Sequence, residues 1–169
     1  MSTNRFLTIA SGVRRLVTAI SSSAGARDAS KIIATDSSGK IDISLMPTGV
    51  GAATQTIVAS EALAAGDLVN IWNNAGTRSV RKADASNTRP AHGFVTASVS
   101  SAANATVFQQ GELTGLTGLT PGQIRYLSGT TAGQSTATPP AATAILQEVG
   151  IAVSTTSILF EYDGYTEQT

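Results

Sequence analysis

The feature that most restricts the fold is the brevity of every apolar run from Thr54 onward, each stopped by turn residues before a helical repeat can develop. Eight such runs read as strands: Thr56–Ala59, Leu68–Trp72, Arg78–Lys82, His92–Thr96, Thr106–Gln110, Ile124–Leu127, Ile145–Val153 and Ser157–Glu161. Between them stand Ala65-Gly66-Asp67, Asn73-Asn-Ala-Gly76, Asn87-Thr-Arg-Pro90, Pro121-Gly122 and Pro139-Pro140, residues that set the dihedrals of tight turns. Short strands at this spacing, without helical stretches between them, predict a mainly β chain, an antiparallel β-sandwich or a small β-barrel.

Two segments precede that domain, so the reading divides the chain into an arm at 1–25, a hairpin linker at 26–53 and a β domain at 54–169. In the arm, Phe6, Ile9, Val13, Leu16, Val17 and Ile20 recur at the spacing of one helical face, with Arg14 and Arg15 elsewhere. Gly12 and the β-branched residues work against a helix, so the arm is expected as a helix or as an extended segment. Ser21-Ser-Ser-Ala-Gly25 reads as a hinge. In the linker, two short apolar runs flank Asp36-Ser-Ser-Gly39, a sequence suited to a tight turn, and Leu45-Met46-Pro47 closes it. The polar tail, residues 162–169, is expected to fray unless a neighbouring subunit holds it.

Composition narrows the class. Charged residues are 13% of the 169, against roughly a quarter in an average soluble domain, while apolar residues hold at 41%. Disorder needs the opposite balance. A chain of this kind suits burial against copies of itself or a partner. Net charge is zero but uneven: residues 1–50 carry six basic and three acidic side chains, residues 51–169 five basic and eight acidic. A basic arm on an acidic body can attract an acidic surface or a neighbouring copy. No cluster of Lys and Arg is interleaved with aromatics, so direct nucleic-acid binding is not expected. There is no cysteine, which excludes disulfides and thiolate metal sites. Arg14-Arg15 interrupt the only signal-like stretch, and no apolar run approaches the roughly 18 residues of a spanning helix, so neither export nor a membrane is expected.

Residues that could carry chemistry are few. His92 is the single histidine, without a nucleophile elbow or companion ligands, and is read as a turn or core residue. Glu61, Asp67, Asp84, Glu112, Glu148 and Glu161 fall one to a strand or turn and read as solvated charges and caps, since an acid–base pair needs a fixed separation. Gly115-Leu-Thr-Gly118 lacks the lysine of a phosphate loop. Asn104-Ala-Thr106 matches a glycosylation sequon, without consequence in a chain that is not exported. Trp72, Tyr126, Tyr162 and Tyr165 can stack on sugars, although aromatics in strands commonly fill cores and subunit interfaces. No catalytic residue, cofactor or metal is expected.

One longer stretch is distinctive. Gly111-Glu-Leu-Thr-Gly-Leu-Thr-Gly-Leu-Thr-Pro-Gly-Gln-Ile-Arg-Tyr-Leu-Ser128, followed by a Ser/Thr/Gly/Pro-rich loop and Ile145-Leu-Gln-Glu-Val-Gly-Ile-Ala-Val153, resembles the carboxy-terminal module of small virion proteins of tailed bacteriophages that decorate the head or form head fibres. The linker with its Leu45-Met46-Pro47 step is similar to one in phage fibres, and Leu63-Ala-Ala-Gly-Asp-Leu-Val69 resembles the opening of compact β-barrel or β-clip domains. The resemblance implies a non-enzymatic decoration, or cement, protein on the exterior of an icosahedral head. It would be made in the host cytoplasm, bound to the major capsid protein and self-associated as a homotrimer. A head-fibre or tail-fibre subunit that binds a host receptor is the alternative, and a carbohydrate-active enzyme a third class. For the decoration reading, the capsid-binding candidates are the arm residues Phe6, Ile9, Val13, Arg14, Arg15, Leu16, Val17 and Ile20.

Overall fold

A computed structural model describes residues 5–47 and 53–168, and the chain divides into two compact units, Met1–Gly51 and Ala52–Thr169. Among the described residues there is no α-helix.

The first unit opens with a β-hairpin. β1 (Arg5–Ala10) and β2 (Val13–Thr18) pair antiparallel from Arg5↔Thr18 to Ala10↔Val13, leaving Ser11 and Gly12 as a two-residue loop. Both loop residues have positive φ, 53° and 75°, the signature of a type I′ turn, whose twist matches that of the strands it joins. The helical alternative for the arm is therefore corrected: the segment is extended and paired. β-branched Thr8, Ile9, Val13, Val17 and Thr18 suit the ladder better than a helix.

The linker keeps its expected turn but not its hairpin. Asp36 receives the amides of Ser38 and Lys40 on one carboxylate oxygen, at 2.8 and 2.9 Å, and Gly39 takes the positive φ. No strands flank it. Ile20 instead makes an isolated parallel bridge with Ile33, and Ile43–Leu45 form one 3₁₀ turn capped by Asp42.

The second unit is built around a closed five-stranded barrel. Its strands are β3 (Thr54–Ala59), β4 (Leu68–Asn74), β5 (Thr77–Lys82), β6 (Gly93–Phe94) and β7 (Asn104–Phe108), in the cyclic order β3-β5-β4-β6-β7. Four of its five pairings are antiparallel. β3 with β5 is parallel, through Val58↔Ser79 and Ala59↔Val80, and of the two architectures expected the small β-barrel is the one found. A second sheet joins β8 (Gly111–Leu113), β9 (Ile124–Leu127), β10 (Ser135–Thr136), β12 (Glu148–Ala152) and β13 (Ile158–Phe160) in the order β10-β9-β12-β13-β8. β11 (Ile145–Leu146) pairs separately with β14 (Thr166–Glu167), so the tail expected to fray is held in a ladder.

Alternation along the barrel strands feeds two cores. Val69, Val80, Val95 and Val107 point inward with Ile57 and Leu63. Their neighbours Leu68 and Phe94 face outward, onto Leu113, Leu127, Val149 and Phe160 of the second sheet. Phe94 stacks on Phe108 at 5.4 Å and meets Phe160 edge-on at 5.6 Å, an aromatic contact from barrel wall to sheet.

Two polar devices fix the joint. Gln147, 1% exposed, sits between β11 and β12, and its amide pairs twice with the backbone of Ala91: Ala91 N–H donates to Oε1 at 2.7 Å and Nε2 donates to the Ala91 carbonyl at 2.9 Å. Buried Asp67 accepts from the Ala64 amide and from Gln134, and pairs with Lys82 at 3.4 Å. Among the described residues, no buried side-chain nitrogen or oxygen lacks a partner.

Two expected outcomes follow, both checked by denaturant unfolding. Gln147→Ala leaves the Ala91 amide and carbonyl unpaired in the core and lowers stability by roughly 2–4 kcal/mol, since each orphaned buried group costs about 1–3. Gly93→Ala drives a methyl group into the Phe108 carbonyl oxygen and the Val107 side chain. It lowers stability by about 3 kcal/mol, the upper part of the range for overpacking.

Candidate functional site

The structure redistributes the arm's candidate residues. Residues opposite each other in an antiparallel ladder share a face, and successive residues alternate. One face of the hairpin therefore carries Leu7 opposite Leu16, Ile9 opposite Arg14, and Arg5 opposite Thr18. The other carries Phe6 opposite Val17, and Thr8 opposite Arg15, with Val13 nearest the turn. The single helical stripe is thus corrected to two faces: Ile9, Leu16 and Arg14 on one, Phe6, Val13, Val17 and Arg15 on the other. Ile20 lies outside the hairpin in its bridge with Ile33. Leu7 joins the first face although the helical spacing passed it over. Leu7, Ile9 and Leu16 are 64–68% exposed, so that face is bare.

A second surface emerges on the outer side of the second sheet. Ile124, Ile151 and Leu159 pair directly across β9, β12 and β13, and Leu159 pairs onward with Glu112 of β8. These three aliphatics are 40–45% exposed, and Val153 extends the strip past the end of β12. Beside the strip lies an open groove of about 480 Å³, lined by Gln109, Gln110, Glu148, Glu161, Tyr162 and Asp163 as well as Ile151 and Leu159. A smaller hollow of about 330 Å³ shares Glu148 and Asp163 and adds Tyr126 and Tyr165. Gly150 makes this surface possible. It sits in a β-bulge between Glu148 and Ile151 with φ 127°, and a Cβ there would overlap the Leu159 carbonyl oxygen.

The carboxylates read as scattered fall into two groups. Glu61 accepts the Lys82 amide at 2.7 Å, Asp84 caps Ser86 and Asn87, and Asp67 is buried, so all three tie backbone. Glu112, Glu148 and Glu161 stand on the outer sheet face, and Asp163 joins the latter two at the groove. From Gly111 onward there are five acidic residues and one basic, Arg125, which is buried and bonded to the Ser135 carbonyl. The face is acidic without a compensating cation of its own sheet. Sequence reasoning missed this grouping, although the outward positions of β9, β12 and β13 and their sparse basic residues carried the signal.

His92 is half-buried at the barrel rim. Its Nδ1 accepts the Ile71 amide at 2.9 Å, which places the ring proton on Nε2, and the ring lies 5.7 Å from that of Tyr162. Asn70 beside it donates to the Pro90 carbonyl and accepts from Arg81, whose guanidinium lies 4.2 Å over the Trp72 ring. Trp72 Nε1 donates to Ser60 Oγ, so this aromatic is committed to the barrel. Tyr162 and Tyr165 are exposed at the groove and its neighbouring hollow. Among the described residues, no group of three His, Asp or Glu is arranged to hold a metal ion.

Burial pushes the His92 pKa below its ordinary 6.5. Because the fold binds the proton less readily than the unfolded chain, His92 contributes fully above about pH 6.5, and its contribution is lost as pH falls toward the folded-state pKa. Denaturant unfolding is expected to show lower stability at about pH 5 than at about pH 7.5. His92→Asn, whose Oδ1 can take the Ile71 amide without titrating, is expected to flatten that difference; an unchanged difference would assign it to other groups.

No protein-family model, no curated protein and no solved structure matches this chain.

Proposed function

We propose that this chain is a structural protein of a tailed-phage virion, a decoration protein seated on the outside of an icosahedral head, where it bridges neighbouring major-capsid subunits. One observation carries the reading. The hairpin of β1 and β2 exposes large apolar side chains, among them Phe6, Leu7, Ile9, Val13 and Leu16, with three arginines and no acid. A two-stranded ribbon does not bury two apolar faces by itself, and such a device gains stability only when another protein covers it. On a shell strained by packaged genome, each added copy that covers surface across several subunits reinforces it. The closed barrel suits such a role, because it presents no free edge to unintended strand pairing. A homotrimer would match the three-fold positions of the shell.

Exposed Tyr162 and Tyr165 near Glu148 and Asp163 favour a second reading, a fibre subunit that stacks a host sugar in the groove. Binding of the intact protein to a glycan panel, lost with Tyr162→Ala, would favour it over decoration.

Deletion of residues 1–25 tests the first reading. The second unit is expected to keep its far-ultraviolet spectrum and its unfolding midpoint, while binding to heads that lack this protein falls sharply. Each buried aliphatic side chain contributes roughly 1.5–3 kcal/mol before ordering costs, so losing even two is measurable. Binding by the intact chain is expected to weaken with salt, through Arg15. Unchanged binding by the shortened chain would place the shell contact on the second unit.

A further inference from the structure

We infer that the outer face of β9, β12 and β13 is the seat for the β1–β2 hairpin of a second copy of this chain. This goes beyond the decoration reading and stands without it, since it concerns contact between copies and requires no shell.

The two surfaces match in reach, apolarity and charge. On the seat, Ile124, Ile151 and Leu159 form a row across three strands, about 10 Å from end to end at the usual strand spacing. On the hairpin, Leu7 and Leu16 stand directly opposite, with Ile9 two residues along, a patch of about the same reach. Both patches are exposed, and sheet faces of this kind pack about 10 Å apart with their side chains interdigitated. At one side of the seat stand Glu148 and Glu161; at one end of the hairpin patch stands Arg14, with Arg5 at the other. The seat lacks a free basic residue, and the hairpin lacks an acidic one. Contact therefore brings apolar against apolar and opposite charge against opposite charge, while hairpin against hairpin or seat against seat opposes like charges. It also leaves Phe6, Val17 and Arg15 on the far face of the ribbon free for a different partner.

The chain contains no cysteine, so engineered thiols report the contact cleanly. Two full-length variants, Leu16→Cys and Ile151→Cys, are mixed under mild oxidation and followed on non-reducing gels, with Thr96→Cys, exposed in the bend after β6, as the control partner. The expected result is a two-chain disulfide product that forms at least roughly tenfold faster than with the control, a ratio matching about 1.4 kcal/mol of preference. The pair Leu7→Cys with Leu159→Cys gives the same result and covers a variant that fails to fold. Adding Arg14→Glu to the hairpin chain is expected to slow the reaction by roughly tenfold, and Glu148→Arg with Glu161→Arg in the seat chain to restore it. A rate no faster than the control overturns the inference. Faster self-linking of Leu16→Cys alone overturns it in favour of hairpin meeting hairpin. Ring closure within single chains carrying both Leu16→Cys and Ile151→Cys, at a rate independent of dilution, overturns it in favour of a seat filled by the same chain.

Discussion

The barrel closes through two residues. β6 is only Gly93 and Phe94, yet it links β4 to β7: Gly93 stands opposite Val69, and Phe94 opposite both Leu68 and Phe108. So short a bridge holds because the backbones come unusually close, the Phe108 carbonyl occupying the space a side chain at 93 would need. Once Gly93 permits that approach, Phe94 is aimed outward onto Phe108 and Phe160 while Val95 turns into the barrel. The inner core, the contact with the second sheet and the orientation of its outer face all follow from that placement.

The β4–β5 hairpin of the barrel is legible in the chain because its ladder is local in sequence. β4 and β5 are joined at Ala75-Gly76, both with positive φ, and the Asn73-Asn-Ala-Gly76 turn is recognisable without any partner. What is not legible depends on distant partners. β7 begins at Asn104 because it must lie against Val58, and the run Ile145–Val153 breaks at Gln147 because that side chain is taken by Ala91. Thr166 and Glu167 show no strand pattern and are ordered only by Ile145 and Leu146 opposite them. The parallel pairing of β3 with β5 has no local signature at all.

The hairpin shows how periodicity can mislead. Phe6, Ile9, Val13, Leu16, Val17 and Ile20 fit a helical stripe, yet apolar residues on both faces of a two-stranded ribbon produce nearly the same spacing. Ser11-Gly12 was the better indicator, a dipeptide that accepts two positive φ angles and so decides the backbone before any side chain packs. The outer sheet face was hidden for the complementary reason: Glu148 opens β12 while Glu161 follows β13, and only the register of those strands brings the two to one groove.

The sequence distance between β3 and β7 also sets an order of events in folding. β3 heads the second unit, but its antiparallel partner lies far downstream, with Thr54 opposite Phe108. The hairpin of β4 and β5 can form at once and offers β3 its parallel partner, whereas the β3–β7 ladder that closes the barrel must wait for a loop of that length to close. Until then its apolar side, Ile57 and Ala59, lacks Ala105 and Val107 of β7 to pack against. As the chain leaves the ribosome from its amino terminus, β3 keeps one unpaired edge until β7 arrives, an edge open to misassociation in that interval.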